Sequence, residues 1–136
     1  MAYLDWQPEF AVGHGQIDAE HRTLLDAMNR LHEAADQGQD KPEVAKVLNF
    51  LRDYTVSHFS MEEALMVRHK YPGASAHFAA HSDLVMQVSD FIADFRVGNV
   101  VGVEAMLAFL RTWLVSHIQV SDKALGAFLQ SRGVGA

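Results

Sequence analysis

The sequence predicts an all-α protein, an up-down-up-down antiparallel four-helix bundle that carries an N-terminal arm and a short C-terminal helix. Four segments of about 20 residues place apolar side chains every three or four positions, which is the helical period. Short breaks that contain Gly or Pro separate the segments, and short connections favour antiparallel neighbours. Since 136 residues suffice to bury one core, we predict a single domain over residues 1–136.

The N-terminal part predicts an arm over residues 1–17 and a first helix over about 18–37. The arm lacks a helical period, and it contains Pro8, Gly13 and Gly15, which favour turns. Asp18 is a residue type that caps helices, and Gly38 is a type that ends them. We therefore expect Asp18 to be the N-cap of the first helix.

Three further long helices are predicted over about 41–69, 74–97 and 100–119, with a short tail helix over about 122–131. The second begins at "DKPE", where Asp40 can cap, Pro42 suits the first turn and Glu43 completes a capping box. The breaks are "KYPG" at 70–73 and "VGN" at 97–99. A strand interpretation fails, because the segments are too long and do not alternate.

The composition limits the kinds of partner and site that we expect. Acidic residues outnumber basic ones by 17 to 11 and no basic run is visible, so a nucleic-acid partner is not expected. No apolar run approaches a membrane span, and the N-terminal "MAYLDWQPEF" is unlike a signal peptide, which predicts a cytoplasmic protein without membrane insertion. The chain has no cysteine, which excludes disulfides, iron–sulfur clusters and Cys-based zinc sites.

Several ionisable residues interrupt the apolar stripes that the bundle must bury. They are His21 on the first helix, His58 and Glu62 on the second, His77 and His81 on the third, and His117 on the fourth. Each pair is spaced i, i+4, so its side chains lie one turn apart on one face and can converge on a metal ion. An isolated buried imidazole or carboxylate is costly, and metal coordination removes that penalty.

The number of candidate ligands indicates two metal ions. Five histidines and one glutamate exceed a tetrahedral site, and two ions that share a bridging carboxylate fit better. With Glu62 as one bridge, Asp122 is the nearest candidate for a second. A step of five residues from His117 to Asp122 turns a side chain by about 140° on a regular helix. We therefore predict that the fourth helix ends, or widens into a π-type turn, between Ile118 and Asp122.

Four stretches resemble the hemerythrins in their single-domain bacterial form. They are "HGQIDAEH" at 14–21, "HFSME" at 58–62, "YPGASAHFAAH" at 71–81 and "HIQVSD" at 117–122, in the order that the family has. The resemblance implies a non-haem di-iron centre, with Fe²⁺ and Fe³⁺ states, inside a four-helix bundle. It implies one iron on His77, His81 and His117, a second on His21 and His58, and bridges from Glu62, Asp122 and an oxo or hydroxo group.

The resemblance also implies a function: reversible O2 binding for transport, storage or delivery, with O2 held as peroxide on the open, two-histidine iron. Five neutral imidazoles and two carboxylates fit a carrier, because di-iron oxygenases on similar bundles use carboxylate-rich ligand sets. Leu114, Leu24, Phe59 and Trp113 lie beside the histidines in sequence, and we expect them to line a dry O2 pocket. Simple core packing explains the same four residues equally well and is compatible with that role.

Other functions stay open at this point. The same module could serve as an oxygen or redox sensor through a separate partner, or as a di-iron enzyme that handles peroxide or nitric oxide. A zinc protein without oxygen chemistry and a b-type haem between facing histidines are further alternatives, although haem would leave buried ligands unused. We expect a monomeric carrier rather than an enzyme, with O2 as its ligand and an O2-consuming enzyme as its client.

Overall fold

The computed structural model describes residues 4–36, 41–97 and 102–134, and in these parts of the chain it forms the predicted all-α bundle. Helix α1 spans Gly15–Asp36, α2 spans Lys41–Arg68, α3 spans Ala74–Arg96 and α4 spans Val103–His117. A π-helical turn, Ile118–Asp122, leads into the short helix α5, Lys123–Ser131, and a 3-10 turn, Pro8–Phe10, lies in the arm. Helix α1 packs against α2 and α4, and α2 packs against α3.

The apolar stripes of the four long helices meet in one core. Leu24, Leu31, Leu48, Leu84 and Leu107 are among the side chains that are almost fully buried. Each such leucine contributes about 1.5–3 kcal/mol relative to an exposed position, so burial of the stripes drives assembly of the bundle. Within the described ranges, no helix has the length and hydropathy needed to cross a membrane.

The start of α1 differs from the prediction, because the helix begins at Gly15 and Asp18 is not its cap. The buried ring of His14 caps it instead, since its Nδ1 accepts a hydrogen bond from the backbone N–H of Ile17 at 3.2 Å. Asp18 lies in the first turn, where its Oδ1 accepts a hydrogen bond from the N–H of Val12 at 2.8 Å. Asp18 therefore fastens the arm to the helix, and its charge suits the N-terminal end of the helix dipole.

The end of the fourth helix follows the prediction. Helix α4 stops at His117, the chain widens into a π-helical turn over Ile118–Asp122, and α5 continues from Lys123. A π-turn closes its hydrogen bonds five residues apart, so residues at that spacing come to one face. Asp122 Oδ1 consequently lies 3.3 Å from His117 Nε2. The N-terminal boundary differs, because α4 begins at Val103 after an extended Gly102 rather than near residue 100.

Two predicted features fall outside the described residues. The stop at Gly38 and the cap at Asp40 lie in residues 37–40, and most of the "VGN" break lies in residues 98–101. The break at "KYPG" is described: α2 ends at Arg68, Lys70 takes a left-handed φ of 55°, and α3 starts at Ala74. A sharp reversal there places α3 beside α2, so that Glu62 of α2 contacts His77 and His81 of α3.

The arm and α5 approach each other closely at Gly126. A Cβ atom added at this glycine would overlap the carbonyl oxygen of Val12 and lie 3.0 Å from the Val12 Cβ. Gln130 Nε2 of the same helix donates a hydrogen bond to the Gly13 carbonyl at 3.2 Å. The absence of a side chain at Gly126 therefore lets the arm close over the end of the bundle.

We predict that Gly126→Ala lowers the free energy of unfolding by about 1–3 kcal/mol, because the added methyl group overpacks the contact with the arm. Urea denaturation followed by circular dichroism measures this change. Gly15→Ala is the matched control, since a Cβ atom there meets nothing within 4 Å and should be neutral or slightly stabilising. Equal stability of the two variants would show that the close approach at Gly126 does not constrain the fold.

Candidate metal centre

The long helices and the π-helical turn bring seven predicted site residues together in the middle of the bundle. They are His21 from α1, His58 and Glu62 from α2, His77 and His81 from α3, His117 from the end of α4 and Asp122 from the π-helical turn. All seven side chains are buried. The i, i+4 spacing on α2 and α3 places both members of each pair on the face that meets the core.

The seven side chains form two groups that share their carboxylates. One group contains His77, His81 and His117, the other contains His21 and His58, and Glu62 and Asp122 belong to both. Within each group, one nitrogen or oxygen atom per residue lies within 4.8 Å of the others. Two neighbouring positions that share two carboxylates could hold a pair of cations, and the ligand sets that the sequence resemblance implies stay a prediction.

Each imidazole turns its Nε2 atom toward the two carboxylates. Glu62 Oε2 lies 2.7 Å from His58 Nε2 and 3.3 Å from His21 Nε2. Glu62 Oε1 lies 3.2 Å from the Nε2 atoms of both His77 and His81. Asp122 contacts the Nε2 atoms of His21 and His77 at 3.1 and 3.0 Å. The two carboxylates thus connect all five rings.

Buried atoms at this centre lack hydrogen bonds, although their neighbours are close. His21 Nε2, His58 Nε2, Glu62 Oε2 and Asp122 Oδ1 have no hydrogen-bond partner of acceptable geometry. Nearly all buried polar atoms in proteins are satisfied, so such a group of unsatisfied atoms needs an explanation. A cation between imidazole nitrogens and carboxylate oxygens would satisfy them. Imidazole nitrogens and carboxylate oxygens suit first-row transition metals, iron among them, and the residues therefore fit a metal centre.

The imidazoles and carboxylates of this cluster strongly shift one another's pKa values. Burial lowers the pKa of His21 and of His77, but the close carboxylates of Asp122 and Glu62, 3.0 to 3.3 Å away, outweigh it with their negative charge and raise each pKa to about 9. Burial raises the pKa of Glu62, but close contacts with His21, His58 and the other rings outweigh it and hold that pKa well below its ordinary value. The carboxylates are therefore ready ligands, whereas the two histidines must lose a proton before they can bind a metal.

The pKa of Asp122 is also held below its ordinary value. Burial and the charge of Glu62 raise it, but close contacts with His117, His21 and His77 at 3.0 to 3.3 Å outweigh both. Tyr71 lies at the edge of the site, and burial together with the charge of Asp122 raises the pKa of its hydroxyl. The Tyr71 ring also contacts the Phe128 ring of α5 in a tilted arrangement, with 5.0 Å between centroids.

Aromatic rings hold two of the imidazoles in place. The Phe59 ring lies parallel to the His81 ring, 3.7 Å between centroids, and the Trp113 ring lies nearly parallel to the His117 ring at 4.4 Å. Since an imidazole can rotate about its Cβ–Cγ bond, a stacked neighbour restricts the direction in which its nitrogen points. Phe59 of α2 thus orients the ring of His81 on α3, and Trp113 orients the ring of His117 one turn later on α4.

An apolar cavity of about 20 Å³ lies in the core, and three of the four predicted pocket residues line it. Its walls are formed by Leu24, Met28, Leu51, Thr55, Phe59, Leu84, Val88, Leu110 and Leu114. Thr55 is the one lining side chain that carries a hydroxyl, and this group donates a hydrogen bond to the Leu51 carbonyl at 2.7 Å. Trp113 is placed elsewhere, because it lines an open surface cavity of about 390 Å³ on the outer side of His117.

Two contacts beyond the seven residues were not predicted. Glu20 Oε1 lies 2.9 Å from His58 Nδ1, and Glu63 Oε2 lies 3.0 Å from His81 Nδ1. Each glutamate directly neighbours a candidate ligand in the chain, in "EH" at 20–21 and "EE" at 62–63. That adjacency was the available signal, but a residue next to a ligand points about 100° away from it, and only the packing of helices shows what it reaches.

Comparisons with known proteins agree with this geometry. Residues 12–129 match the family described as "Hemerythrin HHE cation binding domain". The chain is 37% identical over 122 residues to a bacteriohemerythrin of Pseudomonas aeruginosa strain LESB58, covering 90% of this chain and 78% of that protein. It is 36% identical over 132 residues to the bacteriohemerythrin of Methylococcus capsulatus, covering 96% of this chain and all of that protein.

A solved structure of wild-type hemerythrin is similar over the same extent. The two share 36% identity with a TM-score of 0.89, and the alignment covers 94% of this chain and 98% of the other. The likeness thus includes both the helical bundle and the sequence that supplies the buried cluster. From the family match, the relatives and the shared fold together, we conclude that this chain belongs to the hemerythrin family.

Proposed function

We propose that this protein reversibly binds O2 at a non-haem di-iron centre and acts as an oxygen carrier or store. The observation that carries the proposal is the buried cluster of five imidazoles and two shared carboxylates, divided into a three-histidine and a two-histidine half. A pair of iron ions held there would supply the two electrons that reversible O2 binding requires. The bacteriohemerythrins and hemerythrins to which the chain is similar support this choice.

We assign the ligand roles by half. His77, His81 and His117 would hold one ion, His21 and His58 would hold the other, and Glu62 and Asp122, which belong to both groups, would be shared between them. The half that contains His21 and His58 has one imidazole fewer, which leaves room for an external ligand on that side. The pattern of shared carboxylates supports a bridged pair rather than two separate sites.

The apolar cavity gives the chain a means of excluding water from the ligand position. Its lining includes Leu24 and Phe59, which neighbour the two-histidine half in sequence, and Leu114, one turn before His117. A space of about 20 Å³ is close to the minimum that one small molecule occupies, and apolar cavities of this kind stay dry. Since none of the nine lining side chains is ionisable, the cavity offers no proton donor, which favours release of O2 over its further reduction.

The decisive experiment is anaerobic reduction of the iron-loaded protein followed by admission of O2. We expect about two irons per chain, and visible charge-transfer bands that appear with O2 and disappear when O2 is removed. Irreversible oxidation without an oxygenated species would contradict a carrier function and favour an enzyme or a sensor. Zinc in place of iron, or a haem Soret band, would contradict the di-iron centre itself.

We predict that Leu114→Ala speeds autoxidation of the oxygenated protein, because the shorter side chain enlarges the cavity and admits water. An increase of about tenfold corresponds to roughly 1.4 kcal/mol in the activation barrier. The measurement is the decay of the oxygenated spectrum in air. Leu107→Ala is the matched control, since Leu107 is also a buried leucine of α4 but does not line the cavity. Equal decay rates in the two variants would exclude Leu114 as a barrier to water.

We predict that a rise in pH lowers the stability of the metal-free protein and raises its affinity for a metal ion. The pKa of His21 and of His77 is raised to about 9, so their stabilising contribution is complete below pH 6.5 and is lost as the pH rises through about 9. The metal-free protein should therefore lose free energy of unfolding between pH 7 and pH 10. Metal binding requires deprotonated imidazoles, so the affinity for Zn²⁺ should rise over the same range.

Chemical denaturation at several pH values, with and without saturating Zn²⁺, measures both the stability of the metal-free protein and the stabilisation by the metal. The carboxylates have the opposite sign, because their depressed pKa values make their contribution present above about pH 4.5 and lost in acid. A metal-free protein whose stability does not change between pH 7 and pH 10 would contradict the charge coupling of His21 and His77 to Glu62 and Asp122.

A further inference from the structure

The outward nitrogens of the imidazoles differ in their surroundings. All five rings direct Nε2 to the shared carboxylates, so Nδ1 is the atom that faces away from the centre. His58 Nδ1 meets Glu20 Oε1 at 2.9 Å, and His81 Nδ1 meets Glu63 Oε2 at 3.0 Å. His21 Nδ1, by contrast, is buried without a hydrogen-bond partner. Carboxylates therefore anchor at least one ring in each half of the centre.

The two contacts are built in the same way. Glu20 precedes the candidate ligand His21 on α1, and it reaches across to His58 on α2. Glu63 follows the candidate ligand Glu62 on α2, and it reaches across to His81 on α3. A neighbour of an inward residue points about 100° around the helix, which is toward the adjoining helix. The dipeptides "EH" and "EE" thus each supply one inward group and one cross-helix acceptor.

The chemistry of an anchored imidazole follows from the position of its proton. When Nδ1–H donates to a carboxylate, the proton is fixed on that nitrogen and the Nε2 lone pair is free for a metal. The carboxylate also raises the basicity of the ring as a ligand. The rings of His58 and His81 are almost fully buried, whereas Glu20 and Glu63 are partly exposed, with 21% and 38% of their side chains accessible. Each glutamate therefore places a negative charge, from a partly exposed position, directly against a buried imidazole.

We propose that Glu20 and Glu63 are positioning residues that separately set the metal affinity of the two halves of the centre. Glu20 acts on the two-histidine half through His58, and Glu63 acts on the three-histidine half through His81. The inference rests on the proposed two-metal centre and deepens it, because the metal affinity of each half then depends on its own glutamate. Loss of either glutamate should weaken one half and leave the other close to its original affinity.

The test uses the metal-free protein and Co²⁺ as the probe, titrated by absorption. The wild type should bind two Co²⁺ ions. In Glu20→Ala and in Glu63→Ala, one ion should bind with near wild-type affinity and the other about 10- to 100-fold more weakly. Crystals grown with one equivalent of Co²⁺ then locate the retained ion by anomalous scattering. We expect it beside His77 and His117 in Glu20→Ala, and beside His21 and His58 in Glu63→Ala.

Conservative and remote variants distinguish a positioning effect on metal affinity from a general loss of protein stability. Glu20→Gln and Glu63→Gln keep an acceptor oxygen for the imidazole N–H but lose the negative charge, so they should recover only part of the lost affinity. They also serve if an alanine variant fails to fold, since the same half should be the weaker one. Glu33→Ala removes an exposed carboxylate from α1, and it should bind both ions as the wild type does.

The outcomes distinguish this inference from the function on which it rests. Two ions in the wild type, with both affinities unchanged in the Glu20 and Glu63 variants, would overturn the positioning roles alone. Equal weakening of both halves, or loss of the ion from the opposite half, would also overturn them, because it would indicate a general structural effect. Fewer than two ions in the wild type would overturn the two-metal centre and this inference together.

Discussion

The structure depends on one constraint: two carboxylates and five imidazoles are buried within the same apolar core. Water would ordinarily solvate such groups, and removing it is costly unless each polar atom finds a partner. The rings and carboxylates satisfy one another only in part, which leaves Nε2 and carboxylate oxygen atoms without hydrogen bonds. As a set of protein contacts the cluster is therefore incomplete, and its unsatisfied atoms fit a metal centre.

Helix geometry meets this constraint with local devices. Regular i, i+4 spacing suffices on α2 and α3, where two inward groups lie one turn apart. The last pair is five residues apart, and the π-helical turn at Ile118–Asp122 corrects the angle that a regular helix would give. At the start of α1, His14 caps the helix and Asp18 binds the backbone of the arm. The irregular segments thus lie where the cluster or its cover requires them.

Polarity changes over a short distance around the centre. On one side, leucine, valine and phenylalanine side chains enclose a small cavity in which the single hydroxyl is already bonded. On the other sides, Glu20 and Glu63 connect buried rings to the surface. Trp113 stacks on His117 and faces an open surface cavity rather than the internal one. The apolar cavity and the two glutamate contacts can coexist because they lie on different helix faces.

The sequence by itself determined the all-α class, the inward histidines and the need for an irregular turn before Asp122. These features follow from periodicity along single helices, which the order of residues contains directly. Tertiary structure alone decided that His14 caps α1, that Glu20 and Glu63 reach across to neighbouring helices, and that Trp113 lies outside the internal cavity. Such contacts depend on the rotation and separation of packed helices, and sequence spacing within one helix carries no information about either.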